Sequence, residues 1–144
     1  MTRFPGGPGE SPGFLLWHLT LQWQRELTAA LAPLGLTHVQ FVLLACAHWL
    51  NGQGGAPNQL AVAAQAGTDV KMTSQVLGKL EQRGLIQRRT DQHDTRAKTV
   101  TVTRRGRVLA VRAIAVVEEA DADFFADRSP SLARALVAQA APRS

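Results

Sequence analysis

Ten cationic side chains fall between positions 69 and 107: Lys71, Lys79, Arg83, Arg88, Arg89, Arg96, Lys98, Arg104, Arg105 and Arg107. Only Asp69, Glu81, Asp91 and Asp94 oppose them there, so that segment carries +6 while the rest of the chain sums to −1. The chemistry such a patch offers is neutralisation of a polyanion. Nucleic acid is the first candidate partner and an anionic membrane surface the second. The membrane reading finds no support in the apolar residues, since no run reaches the 18 or so needed for a span, and no membrane partner is expected. The Gly- and Pro-rich start, up to Gly13, lacks the charged-then-apolar order of a signal peptide, and the expected location is the cytoplasm.

Other reactive groups are few and dispersed. Cys46 is the single cysteine, so no internal disulfide or multi-cysteine metal site exists, and its neighbours Leu43, Leu44, Ala45 and Ala47 predict a buried, inert thiol. His18, His38, His48 and His93 are scattered along the chain with no ligand spacing among them, so no metal and no cofactor are expected. There is no paired-carboxylate cleft, Gly-rich phosphate loop or nucleophile beside a base. An enzyme is therefore not expected, and no residue is nominated as catalytic.

The elements that must position the basic segment can be read from periodicity and punctuation. Residues 1–13 read as a flexible N-terminal segment, and 14–144 as one domain of a length that buries a real core. Leu16, Leu19, Trp23, Leu27, Ala30 and Leu31 mark a helix over 14–32, stopped by Pro33 and Gly35. Thr37 and Gln40 have capping-box spacing ahead of a second helix that continues from Phe41 to Leu50. Residues 51–57 hold three glycines and read as a loop, Asn58 caps a short third helix, and Gly67 closes it. A fourth helix runs from about Asp69 to Arg83, with Gly84 as its C-cap. Two strands follow, over 85–90 and 98–102, joined by the polar loop 91–97. Thr103 opens a long helix to about Ala126, and Ser129-Pro130 starts a last one. The fold class is mainly α with a small β-hairpin: a winged helix-turn-helix over 36–103, flanked by helices over 14–35 and 104–144.

Within that frame, the fourth helix turns Met72, Val76, Leu77 and Leu80 to one side and Lys71, Ser74, Gln75, Gly78 and Gln82 to the other. A short, polar outer face suits entry into a major groove about 12 Å wide. Gly78 costs up to about 1 kcal/mol against alanine in a helix, a cost consistent with close approach of the backbone to a phosphate or base. The hairpin brings Asp94-Thr95-Arg96-Ala97-Lys98 to its tip, and a protruding cationic hairpin is suited to a minor groove.

Four segments together carry a family resemblance: Gly35-Leu36-Thr37-His38-Val39-Gln40, Leu80-Glu81-Gln82-Arg83-Gly84-Leu85-Ile86-Gln87-Arg88, Asp94-Thr95-Arg96-Ala97-Lys98 and Val102-Thr103-Arg104-Arg105-Gly106. Their order and spacing resemble the MarR family of transcription factors over residues 14–126. The resemblance implies that the fourth helix is the recognition helix, that Arg96 enters the minor groove, and that Asp94 braces the wing, with Arg88 as its partner. Lys71, Thr73, Ser74, Gln75, Lys79, Arg96 and Lys98 are the nominated DNA contacts.

The flanking helices argue for a partner. Phe14, Leu15, Leu16, Trp17, Leu19, Leu21 and Trp23 surround most of the first helix, and a winged core cannot cover all of them, which predicts a homodimer. Two-fold symmetry would set two recognition helices one helical turn apart on palindromic double-stranded DNA. The resemblance to phenol-responsive family members implies a small aromatic effector near the interface, with Trp17, His18 and Trp49 as pocket candidates; core and interface packing is the alternative role for these rings. The expected function is a sequence-specific dimeric regulator, a repressor modulated by a small effector; the alternative is a winged helix that binds only protein. Salt-dependent binding to duplex DNA separates the two.

Overall fold

The structure, a computed structural model, describes residues 1–140. Residues 141–144, the end of the expected C-terminal flank, lie outside the described residues. The chain folds as two compact units, one of residues 31–116 and one formed by residues 1–30 with those from 117 onward. The helices are α1 (Pro12–Leu31), α2 (His38–Gly52), α3 (Gln59–Ala66), α4 (Val70–Gln82), α5 (Arg104–Ala126) and α6 (Pro130–Ala140), and strands β1 (Ile86–Thr90) and β2 (Lys98–Val102) lie between α4 and α5. This is a mainly α winged helix-turn-helix with a small antiparallel hairpin.

Local chemistry explains most boundaries. The Thr37 hydroxyl accepts from the Gln40 amide while the Gln40 side chain accepts from the Thr37 amide, each at 3.2 Å, so both free N–H groups at the start of α2 are satisfied. Asn58 accepts from the Ala61 amide and Asp69 from that of Met72, both at 2.9 Å, starting α3 and α4. α4 ends in a Schellman motif: Gly84 takes φ 73°, the Gly84 amide bonds the Glu81 carbonyl at 2.9 Å, and the Leu85 amide bonds that of Leu80 at 3.0 Å. Leu85 thus belongs to the helix stop, and β1 begins at Ile86 rather than 85. α1 starts at Pro12, ahead of the expected 14, because Ser11-Pro12 is the same cap and first-turn pair as Ser129-Pro130; the Ser11 hydroxyl accepts from the Phe14 amide at 3.3 Å.

In the larger unit the core joins Leu43, Leu44 and Ala47 of α2, Val62 and Ala63 of α3, Leu77 and Leu80 of α4, Ile86, Val100 and Val102 of the hairpin, and Ala110 and Ala113 of α5. Each large aliphatic side chain so buried contributes about 1.5–3 kcal/mol. In the hairpin Ile86 faces Val102, Arg88 faces Val100 and Thr90 faces Lys98. The free edge of β2 is covered too. Val100 N–H donates to the Pro57 carbonyl at 2.8 Å, and the Asn51 side chain donates to Val100 O at 3.1 Å and accepts from Val102 N at 2.8 Å. Asn51 is therefore the last turn of α2 and a clamp on the wing, not the first loop residue; one side-chain amide offers β2 the donor and acceptor that a neighbouring strand would.

In the smaller unit Leu27 and Phe124 are buried, the Trp23 indole donates to Asp121 at 2.7 Å, and Arg128 lies 3.6 Å over the Phe124 ring. Phe14, Leu15, Leu16 and Trp17 are exposed at 42–62%. Beside them lies a groove of about 280 Å³ lined by Leu16, Leu19, Trp23, Phe124, Phe125 and Leu136. No single helix among the described residues is long and apolar enough to cross a membrane.

Candidate nucleic-acid interface

α4 sorts its residues by a stripe that polarity disguises. Thr73, Leu77 and Leu80, at helical spacing, are fully buried, while Met72 and Val76 are half-buried at its edge. Thr73 is thus corrected from a DNA contact to a core residue. Its hydroxyl donates to the Asp69 carbonyl at 2.7 Å and pairs with the Thr68 hydroxyl at 2.7 Å, so it has neither access nor a spare donor. The spacing to Leu77 and Leu80 was the available signal.

Opposite that stripe, Lys71, Gln75, Lys79 and Gln82 form an exposed row. Lys71, Gln75 and Lys79 make no side-chain hydrogen bond or ion pair among the described residues. Three donor-bearing groups are thus free to meet an outside partner without first breaking an internal bond. Ser74 is half-buried beside them, its carbonyl 3.3 Å and its hydroxyl 3.5 Å from the Arg88 guanidinium.

Arg88 is a brace, but with other partners than the one expected. Its amide donates to Glu81 Oε2 at 2.9 Å and its guanidinium meets Glu81 Oε1 at 3.3 Å and Gln59 at 2.9 Å. One side chain on β1 therefore ties α3, α4 and the wing together. Asp94 does not reach it. The Asp94 carboxylate accepts from the Arg96 amide at 3.0 Å and pairs with the Arg96 guanidinium at 3.4 Å, shaping the tip internally. Glu81, two residues before the α4 C-cap Arg83, takes Arg88 instead. A β-carbon at Gly78 would stand 3.3 Å from Arg88 Nη2, a tight contact for the braced guanidinium.

The wing tip is held by local bonds and projects its cation. Ala97 N–H donates to the Asp94 carbonyl at 2.9 Å and Asp91 N–H to that of Ala97 at 3.0 Å. The Arg96 side chain is 92% exposed, so its ion pair with Asp94 contributes little and yields readily to a phosphate. Lys98 is exposed beside it. Between wing and helices runs a groove of about 370 Å³ lined by Gln59, Leu60, Val70, Ser74, Arg96 and Lys98. The structure thus gathers Lys71, Ser74, Gln75, Lys79, Arg96 and Lys98 in one unit, on α4 and the wing.

The effector candidates belong to different units. Trp17 and His18 are exposed on α1 in the smaller unit, and Trp49 is exposed on α2 in the larger. Trp49 lines a cavity of about 610 Å³ with His48, Asn51, Thr101, Val102 and Arg107. Cys46 is half-buried on α2, and burial pushes its thiol pKa up. Among the described residues no group of three or more His, Cys, Asp or Glu is placed to hold a metal ion.

The chain is similar to known winged-helix proteins. Residues 34–119 match the family model for the ArnR1-like winged-helix domain. The chain is 40% identical over 120 residues to the uncharacterized HTH-type transcriptional regulator YdcH of Bacillus subtilis, covering 83% of this chain and 82% of that one. It is 38% identical over 114 residues to the HTH-type transcriptional repressor Rv2887 of Mycobacterium tuberculosis, covering 79% of each. Among solved structures it resembles the MarR-family regulator of Rhodococcus sp. RHA1 at TM-score 0.79 and 28% identity, covering 91% of this chain and 90% of that one. Rv2887 has been solved with DNA, at TM-score 0.68 and 31% identity over 90% of this chain and 98% of that one. It has also been solved with salicylic acid, at TM-score 0.64 and 34% identity over 89% and 92%.

Proposed function

This chain belongs to the MarR family of winged-helix transcriptional regulators, and from that footing we propose that it is a cytoplasmic, dimeric, sequence-specific repressor that a small organic effector releases from a palindromic duplex. The observation that carries the DNA reading is the uncommitted row Lys71-Gln75-Lys79 on α4 in the same unit as a wing whose Arg96 side chain is 92% exposed. α4 reads base edges and the wing grips the backbone of an adjacent minor groove. Base contacts choose between sequences, whereas phosphate contacts add affinity to all of them. Hence Lys71→Ala or Gln75→Ala flattens the preference for the operator by about 1–3 kcal/mol for a lost bidentate contact. Arg96→Ala weakens operator and scrambled duplexes by similar factors and lowers the log-affinity against log-salt slope by about one unit per subunit. Salt titrations on both duplexes check this, and wild-type affinity and slope in Arg96→Ala would remove the wing from the mechanism.

The dimer reading rests on Phe14, Leu15, Leu16 and Trp17, four consecutive apolar side chains left open to solvent. A second copy related by two-fold symmetry is the occupant that would also present two copies of α4 to a palindromic duplex. Because these side chains are exposed, Leu16→Glu leaves the fold of a single chain intact and moves the sedimenting species from dimer to monomer at micromolar concentration. A Leu16→Glu protein that sediments as wild-type dimer would place the interface elsewhere.

The effector reading draws on the salicylic acid complex of Rv2887 and on the cavity beside Trp49. Asn51 lines that cavity while its amide holds β2. An effector that recruits the Asn51 amide takes those bonds from the wing and so has different affinities for the two wing states, which is what coupling to DNA requires.

A further inference from the structure

At the C-terminal end of α4, away from the Lys71-Gln75 row and the wing tip, lies a cavity of about 460 Å³ rimmed by Arg83, Arg104, Arg105 and Arg112. Leu34, Leu85, Val108 and Leu109 supply the apolar part of its lining. We propose that this cavity is a binding site for an amphipathic organic anion, a carboxylate carried on an apolar body, distinct from both the DNA surface and the cavity beside Trp49.

Charge is the first argument. No carboxylate lines the cavity, and the ion pairs among the described residues are Arg88–Glu81 and Arg96–Asp94, so none of the four arginines has an acidic partner. Four like charges gathered without a counter-charge favour an anion strongly. Arg83 is moreover already oriented: its Nη1 donates to the Gly35 carbonyl at 2.8 Å and to Gln40 at 3.2 Å, leaving its other N–H groups to a ligand. Arg104 and Arg105 open α5, whose first-turn amides and dipole add positive potential at the same end.

Shape is the second. Arg104, Val108 and Arg112 recur at every fourth position along one stripe of α5, so the outer arginines stand about 12 Å apart with Val108 between them. Val108 is 58% exposed. A bare phosphate or a DNA backbone would satisfy the guanidinium groups but leave that apolar stripe wet, whereas an anion with an aliphatic or aryl body covers both. The volume lies within the usual range for small-molecule sites, roughly 300–1,000 Å³.

The test is calorimetric titration of the full-length protein with octanoate, with octan-1-ol and inorganic phosphate as controls. The expected result is saturable binding of one octanoate per chain, with both controls at least about tenfold weaker, since each supplies only half of the recognition. Arg112→Gln and Arg104→Gln, both at exposed positions, weaken octanoate about tenfold, and Val108→Asp abolishes binding while thermal melts stay at the wild-type value. Octan-1-ol binding as tightly as octanoate overturns the proposal, as does wild-type octanoate affinity in Val108→Asp, which would put the ligand elsewhere. A third result also overturns it: an Arg104→Gln/Arg112→Gln double variant that keeps octanoate but loses DNA affinity and salt slope would assign these arginines to phosphates.

Discussion

Gly106→Ala is expected to lower the melting temperature by about 10 °C, a loss of about 3 kcal/mol, although alanine is the better helix former by about 1 kcal/mol. The sign is decided by what the methyl group meets. A β-carbon at Gly106 would collide with the Leu85 carbonyl oxygen and stand 2.7 Å from Val102 Cγ1. Neither can retreat. The Leu85 carbonyl already accepts the Thr103 amide at 3.0 Å, Leu85 is 3% exposed, and Val102 packs in the core at 2%. The first turn of α5 must therefore lift off the base of the wing, breaking the bond of Thr103 Oγ1 to the Gly84 carbonyl at 2.7 Å. Gly52→Ala is the matched control: it ends α2, and a β-carbon there meets nothing within 4 Å. Urea and thermal melts of both variants check the pair. A Gly106→Ala protein as stable as wild type, or a Gly52→Ala protein equally destabilised, would mean that the contact with Leu85 does not set the effect.

Gly106 also marks where the sequence stops being legible. Its place in Val102-Thr103-Arg104-Arg105-Gly106 is readable as part of a pattern, but the reason for a glycine lies in the Leu85 carbonyl, twenty-one residues upstream. Signals that act within a few residues are readable: the Thr37–Gln40 capping box, the Asn58 cap and Gly84 at the end of α4, whereas Asp69 reads as the first helical residue and proves to be the cap before it. Side chains whose partners are remote are not readable in this way. Asn51 looks like a loop residue because Gly52, Gly54 and Gly55 follow it, and only the tertiary fold brings β2 to its amide. Thr73 is obscured for a different reason: its polarity suggests the outer face, while its spacing to Leu77 and Leu80 places it in the core. The wing brace was inferred from resemblance as Asp94 with Arg88, yet Glu81 competes for the same guanidinium from the adjacent helix.

That competition yields the second large effect. Arg88→Met keeps the aliphatic stem but strands the Glu81 carboxylate, leaves the Gln59 amide oxygen without its donor, and should cost about 2–3 kcal/mol of stability. The cost falls below the roughly 3–5 kcal/mol of breaking a fully buried ion pair because Glu81 is open to water on one side: the side chains are 13% exposed for Arg88 and 39% for Glu81. DNA binding should fall further than stability alone accounts for. Arg88 bonds α3 through Gln59 and α4 through Glu81 and Ser74, and sits itself on β1. Without it, the angle between the recognition row and the wing is no longer fixed, and a duplex that needs both at once must select a fraction of the conformers. Operator affinity should therefore drop by more than about tenfold at a temperature where Arg88→Met is still folded. Adding Glu81→Gln removes the stranded charge, so the double variant should recover stability with a coupling energy of about 1–2 kcal/mol while DNA affinity stays low. Urea melts and operator titrations of the four proteins in the cycle measure both quantities. If Arg88→Met bound its operator as tightly as wild type, the side chain would be a stabiliser of the wing and nothing more; if the cycle showed no coupling, Glu81 would not be its partner in solution.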